Sequence, residues 1–295
     1  GQDRADSPVH AHDRSGALDA VDATAARQRE GADGERERNG HRGQVLNLHD
    51  HGRVVPPAVL GGRARSHRVR VLDDVTAGRV DTKMYVFLNA WCLSPDQRRQ
   101  ILDATRGKVR VWCYAPGFQE PDRDNIDAMG ELTQFKLAEI SPEKAWAEPT
   151  AAGRRLGLTT GFGVQKRVAP MFAAVNVKPE ETLATYPDGS AAVALRQTVD
   201  GWSVFVGPPG LTSELLRVAA GKAGVHLFTD SNCNVYANGS YVVLHASQDG
   251  PVQVDTGRQG RIVDLLSGEQ LGQGPKMSLS MQLGETRVLI AGDAR

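Results

Sequence analysis

The chain has 295 residues, with 35 basic and 35 acidic side chains and a formal charge of zero, so no net field draws it toward nucleic acid or an anionic membrane. No apolar run approaches the roughly eighteen residues that span a bilayer, and the start lacks the apolar core of a secretory signal, which leaves the cytoplasm as the default location. Three scattered cysteines, Cys92, Cys113 and Cys233, exclude a disulfide framework and a closed thiolate zinc site, and no other spacing points to a metal or a cofactor.

No Phe, Trp, Tyr, Ile, Met or Lys precedes Lys83, and all the aromatic residues follow it. Ordering costs roughly 1 to 2 kcal/mol of backbone entropy per residue, and residues 1–70 carry too little apolar surface to offset it, so this segment is expected to be disordered. Its 12 arginines come without one lysine. The missing residue types are those with AT-rich codons, so the segment reads as an out-of-frame translation that enters the true frame near Val71 to Asp74. An arginine-rich arm for nucleic acid is the competing reading, but acidic residues are interspersed and no aromatic is available to stack on bases.

The continuous apolar run of residues 84–90 predicts a buried parallel strand. Ser94 as N-cap and Pro95 at the first position open a helix that Gly107 stops, and residues 109–115 predict a second strand. Together these form a βαβ unit with a right-handed crossover. A helix over 122–132 capped by Asp122 or Asp124 follows, then strands at 170–177, 182–186, 191–198 and 202–206 and a helix capped by Thr212 that ends near Gly221 or Gly224. From Val225 onward, strand patterns at 225–229, 233–237, 240–246, 252–255, 261–266, 277–283 and 286–291 predict a separate antiparallel module.

Cys113 is the sharpest candidate for chemistry, because it ends a parallel strand where open α/β sheets place their ligands. A nucleophile elbow needs small flanking residues, whereas Trp112 and Tyr114 flank this thiol, and neither His226 nor His245 belongs to a His-x-Glu pair. Burial as a small hydrophobe is the plainer reading. Gly161 and Gly163 lack the third glycine of a dinucleotide loop, Gly207 to Gly210 reads as a rigid turn, and Asn238-Gly239 reads as a hairpin turn rather than a glycosylation site. Asn89, Trp91, Tyr114 and Phe118 follow the two parallel strands and are candidate ligand-binding residues for a carbohydrate, against a plainer role in core packing.

The order of Tyr85-Val86-Phe87-Leu88-Asn89-Ala90, Leu93-Ser94-Pro95-Asp96-Gln97-Arg98 and Val111-Trp112-Cys113-Tyr114-Ala115-Pro116-Gly117-Phe118 resembles the amidotransferase-like domain, often called the trimerisation domain, behind the catalytic barrel of bacterial β-galactosidase-like glycoside hydrolases. Asp200-Gly201-Trp202, Ala223-Gly224-Val225-His226 and Val263-Asp264-Leu265-Leu266-Ser267-Gly268-Glu269 continue the resemblance, which covers about residues 71–292. It implies a flavodoxin-like (class I amidotransferase-like) parallel-sheet α/β domain over 71–224, followed by a small antiparallel β domain over 225–292. It also implies a homo-oligomer and an upstream (β/α)₈ barrel carrying the acid and the nucleophile. A barrel takes about 250 residues, and those before Leu72 are not barrel-like. No catalytic residue is therefore assigned here, and the chain is expected to be a non-catalytic C-terminal portion that oligomerises or shapes the substrate site. A thiol-dependent enzyme using Cys113 and a sugar-binding accessory module are the alternatives.

Overall fold

Three parallel strands organise the larger part of the molecule. In the computed structural model, which describes residues 44–48, 67–88, 90–120 and 122–292, the chain begins with β1 (Gln44–Leu48), β2 (His67–Val71) and the short helix α1 (Leu72–Thr76). Then come β3 (Met84–Phe87), α2 (Pro95–Ala104) and β4 (Lys108–Cys113), with β3 and β4 parallel and Val86 opposite Val111. This is the expected strand–helix–strand unit. The third parallel member is β11 (Gly201–Val206), which pairs with β4 along its whole length.

Apolar side chains on both faces of these strands explain their unbroken hydrophobic runs. Met84, Val86, Val109, Val111, Val204 and Val206 pack with Leu215, Leu216 and Ala219 of helix α5 (Ser213–Lys222). On the opposite face, Tyr85, Phe87 and Trp112 pack with Leu72, Val75 and Ile101. Phe87 and Trp112 stack at 4.2 Å between ring centroids.

The remainder of this sheet is antiparallel, so the sheet is mixed rather than wholly parallel. The hairpin from β10 (Ala191–Thr198) to β11 brings Thr198 opposite Gly201, and so short a connection can join only antiparallel strands. Beyond β10 the sheet continues through β9 (Thr182–Thr185), β6 (Ala145–Pro149) and β7 (Phe162–Val164), while β8 (Met171–Val175) links β10 to β5 (Lys136–Ile140). Helix α4 (Ala151–Arg155) sits so close to β9 that a Cβ on Gly153 would lie 2.1 Å from the Leu183 carbonyl oxygen. On the other edge, β1 pairs antiparallel with both β2 and β3. β1 and all of β2 but Val71 fall within the stretch expected to be disordered; a backbone ladder forms there although the stretch has no aromatic, Ile or Met residue. The rest of that stretch lies outside the described residues.

Local capping follows the sequence in two helices and departs from it in a third. The Ser94 hydroxyl accepts from Gln97 N at 3.2 Å and Gln97 Oε1 accepts from Ser94 N at 2.9 Å, a reciprocal box with Pro95 at the first helical position. Thr212 caps α5 through Leu215 N. Helix α3 (Ile126–Thr133) is capped by Asn125, which accepts from Ala128 N, and not by Asp122 or Asp124. Starting at Ile126 buries Met129 and Leu132, whereas the two aspartates stay exposed in the preceding turn.

The C-terminal module is antiparallel, as expected. A five-stranded sheet has the order β12 (Cys233–Asn238), β13 (Tyr241–Ala246), β18 (Thr286–Ala291), β15 (Arg261–Asp264), β16 (Gln270–Gln273). Strands β14 (Gly250–Asp255) and β17 (Lys276–Met281) form a second pair. Val235, Leu244, Val252, Ile262, Met281 and Leu289 share a core of their own. Residues 225–229 are not a strand. They form an irregular connection in which Val225 joins the first core and Phe228 the second. Asn238-Gly239 does form the β12–β13 hairpin turn, with Gly239 at φ 62° and Asn238 opposite Tyr241.

Candidate functional site

The carboxyl ends of β3 and β4 carry the sequence candidates, and the loops beyond them are joined by backbone hydrogen bonds. Gly117 N donates to Ala90 O at 2.7 Å, Gln119 N to Trp91 O at 3.0 Å and Leu93 N to Gln119 O at 3.3 Å. Gly117, at φ 71°, fits because it has no side chain: an added Cβ would lie 2.8 Å from Leu132 Cδ1. Beneath the loops, buried Arg98 donates to Glu120 at 2.9 Å, to Glu131 at 3.0 Å and to the Leu93 carbonyl at 3.1 Å. Hydrogen bonds from Arg123 and then Arg98 hold the Glu120 carboxyl below its ordinary range. Charged groups here position loops.

Trp91, Tyr114 and Phe118 come together around buried Phe172, which arrives on β8. The Trp91 and Tyr114 ring centroids lie 5.5 Å apart at 67°, Tyr114 and Phe172 6.0 Å apart at 62°, and Phe118 and Phe172 4.8 Å apart at 58°. These are edge-on contacts of the kind aromatic rings favour in a packed cluster. All three candidates are half-buried, and the indole Nε1 of Trp91 is buried with no hydrogen-bond acceptor. Asn89 lies outside the described residues.

The backbone position after β4 that an elbow would use is held by Tyr114, at φ 64°. A bulky residue in this region is strained and persists only where its surroundings fix it. Two bonds do so here: Tyr114 N donates to Val206 O at 2.7 Å and its hydroxyl donates to Pro170 O at 2.6 Å. The Cys113 thiol packs against the first core, and burial pushes it up to about 12. At neutral pH that leaves a thiolate fraction on the order of 10⁻⁵. His226 Nε2 engages the Asp255 carbonyl and His245 Nδ1 the Thr286 hydroxyl; neither hydrogen-bonds to Cys113. Among the described residues no cluster of three His, Cys, Asp or Glu side chains can hold a metal ion, and no helix is long and apolar enough to cross a membrane.

Sequence reasoning found the aromatic trio but missed Phe172, Pro170 and the Arg98 network. Phe172 and Pro170 had a visible signal, the predicted strand at 170–177, but nothing in one sequence tells which face of the β3–β4 loops it meets. Arg98 gave no signal, since an arginine inside an amphipathic helix ordinarily faces water.

No family model and no curated protein sequence matches the chain. Among solved structures, a β-galactosidase from Bacillus circulans sp. alkalophilus aligns over 72% of this chain and 33% of its own, at 16% identity and a TM-score of 0.48. One from Rahnella sp. R3 aligns over 70% and 32%, at 13% identity and a TM-score of 0.49. One from the haloarchaeon Halorubrum lacusprofundi aligns over 72% and 32%, at 15% identity and a TM-score of 0.43. The chain spans about a third of the length of these enzymes.

Proposed function

We propose that residues 71–292 are the non-catalytic C-terminal portion of a β-galactosidase-like glycoside hydrolase, serving to oligomerise it or to shape the substrate site of a catalytic barrel. In this reading the three parallel strands with their helices are a reduced, flavodoxin-type unit of the amidotransferase-like (trimerisation) kind. The ordered motifs from Tyr85 to Glu269 support the family assignment. The observation that carries the non-catalytic reading is at the end of β4: the strained position belongs to Tyr114, whose hydroxyl is engaged by a carbonyl, while the neighbouring half-buried Cys113 thiol is hydrogen-bonded to no histidine among the described residues.

Two measurements on the purified chain test this. Light scattering after size exclusion is expected to give a homo-oligomeric mass, and a chromogenic galactoside is expected to stay intact. Galactoside turnover by the chain alone overturns the proposal, and a monomer at all micromolar concentrations removes its oligomerising branch and leaves the shaping of the substrate site. A thiol reagent at pH 7 is expected to leave Cys113 unmodified in the folded protein; rapid labelling of that residue, read by peptide mass, would instead favour the thiol enzyme.

A second reading, a galactoside-binding accessory surface at Trp91, Tyr114 and Phe118, is favoured by one observation, the buried Trp91 Nε1 donor without an acceptor. Calorimetry with galactosides decides it: saturable heat that Trp91→Phe abolishes supports it, and no heat removes it.

A further inference from the structure

A concave region lies away from the aromatic cluster. It is a groove of about 350 Å³ between the β10–β11 hairpin, the carboxyl ends of α4 and α5, and the turn before β9. That volume is within the range of small-ligand sites, which start near roughly 300 Å³. Its charged groups divide into spent and unspent. Arg196 is spent, because it forms a two-pronged pair with Glu181 at 2.8 and 2.7 Å and lies 4.7 Å over the Phe135 ring. Arg155 and Glu180 are exposed and make no hydrogen bond or ion pair among the described residues. The Lys222 ammonium lies 4.4 Å from the centre of the Trp202 ring, which holds the cation in place without neutralising it. Two cations therefore face one carboxylate in a space that also presents the Gln197 amide and the 40% exposed Leu156.

Arg155 and Lys222 each end a helix, where a cation offsets the exposed carbonyls. That accounts for the sign of both charges. It does not account for their converging on one groove with an amide, an unpaired carboxylate and an apolar wall.

We propose that this groove binds a polyhydroxylated carboxylate, the chemistry of a sugar acid. The planar Arg155 fork suits a carboxylate with two parallel hydrogen bonds, and Lys222 supplies a second positive group. Gln197 and Glu180 take up hydroxyl groups, and the C–H face of the ring lies against Leu156. A neutral sugar leaves both cations without an anion, and a simple carboxylate leaves the amide and the apolar wall unused.

The test is calorimetric titration of the full chain with sodium galacturonate, with galactose and sodium acetate as controls at matched ionic strength. Saturable binding of galacturonate is expected, with galactose and acetate weaker by about tenfold or more. The exposed pair Arg155→Gln with Lys222→Met is expected to weaken galacturonate binding by about tenfold or more at an unchanged melting temperature. Trp91→Phe is expected to leave it unchanged. Absent saturation, equal affinity for galactose or acetate, or an unaltered affinity in the double variant overturns the proposal. Trigalacturonate separates the two sources of such a group: binding tighter than the monomer identifies a polysaccharide, and binding of the monomer alone identifies a free sugar acid. The proposal stands apart from the hydrolase reading, whose own test is assembly.

Discussion

The α/β region and the terminal β module solve the same burial problem in different ways. In the α/β region, β3 is buried at every position and β4 at four of its six, because helices cover both faces. In the β module, β12 and β13 alternate buried and half-exposed residues around a single core. Buried charge follows the same division. The first region uses Arg98 and Glu120 to hold loops above the sheet, and the second uses Asp264 and Arg287 to hold a hairpin to its neighbour. A doubly covered strand is legible as a hydrophobic run and a singly covered one as an alternation, so both modules could be seen in the sequence, each by its own signal.

That contrast can be broken most forcefully by emptying one core and watching the other. Trp112→Ala removes a fully buried ring from the α/β region and is expected to cost about 3–5 kcal/mol; Leu244→Ala, in the β module, about 2–5 kcal/mol. All the tryptophans lie before residue 225, so fluorescence follows the first region in urea while circular dichroism follows both. If the regions unfold separately, Leu244→Ala shifts only the dichroism; coincident shifts would make them one cooperative unit.

Next in size is Arg98→Met. It keeps the helix but removes the buried partner of Glu120, which retains its bonds from Arg123 and Asn125, so a lower urea midpoint is expected. Altered amide shifts in residues 117–120 should accompany it, and unchanged loop signals would mean that the network does not position the loops.

The corresponding charge in the β module sharpens the comparison through pH. Burial raises the Asp264 carboxyl, but the Arg287 hydrogen bond at 2.8 Å and the Leu266 amide outweigh it and hold the group below its ordinary value. A depressed native value stabilises the fold above the unfolded carboxylate range, about 3.9, and that stabilisation is lost as the pH falls through the native value. Acid unfolding of the β module is therefore expected to lose part of its pH dependence in Asp264→Asn, measured by dichroism between neutral and acid pH. The smallest effect is that of Ser94→Ala, which removes one half of a capping box and is expected to cost about 1 kcal/mol in urea titration.

What the sequence concealed is non-local in each case. Ser94 and Thr212 were legible because a cap is completed within three residues, whereas Asn125 wins over Asp122 and Asp124 because of where Met129 and Leu132 reach the core. Strands β5 and β6 escaped notice because Lys136 to Ile140 mixes charges with its apolar residues and Ala145 to Pro149 is short and ends in proline; their partners lie far along the chain. The left-handed conformation of Tyr114 had no local signal, since glycine or asparagine is the residue normally found there. The groove was the least visible feature, as its walls come from separate segments brought together only by the fold.

Gly153 gives that groove a fixed gauge. With only a hydrogen facing the Leu183 carbonyl, α4 rests backbone on backbone against β9, so the places of Arg155 and Leu156 are referred directly to the sheet, with no intervening side chain that could change its rotamer. One methyl group at this position would act as a shim, lifting one jaw of the groove away from the other without touching a single lining residue.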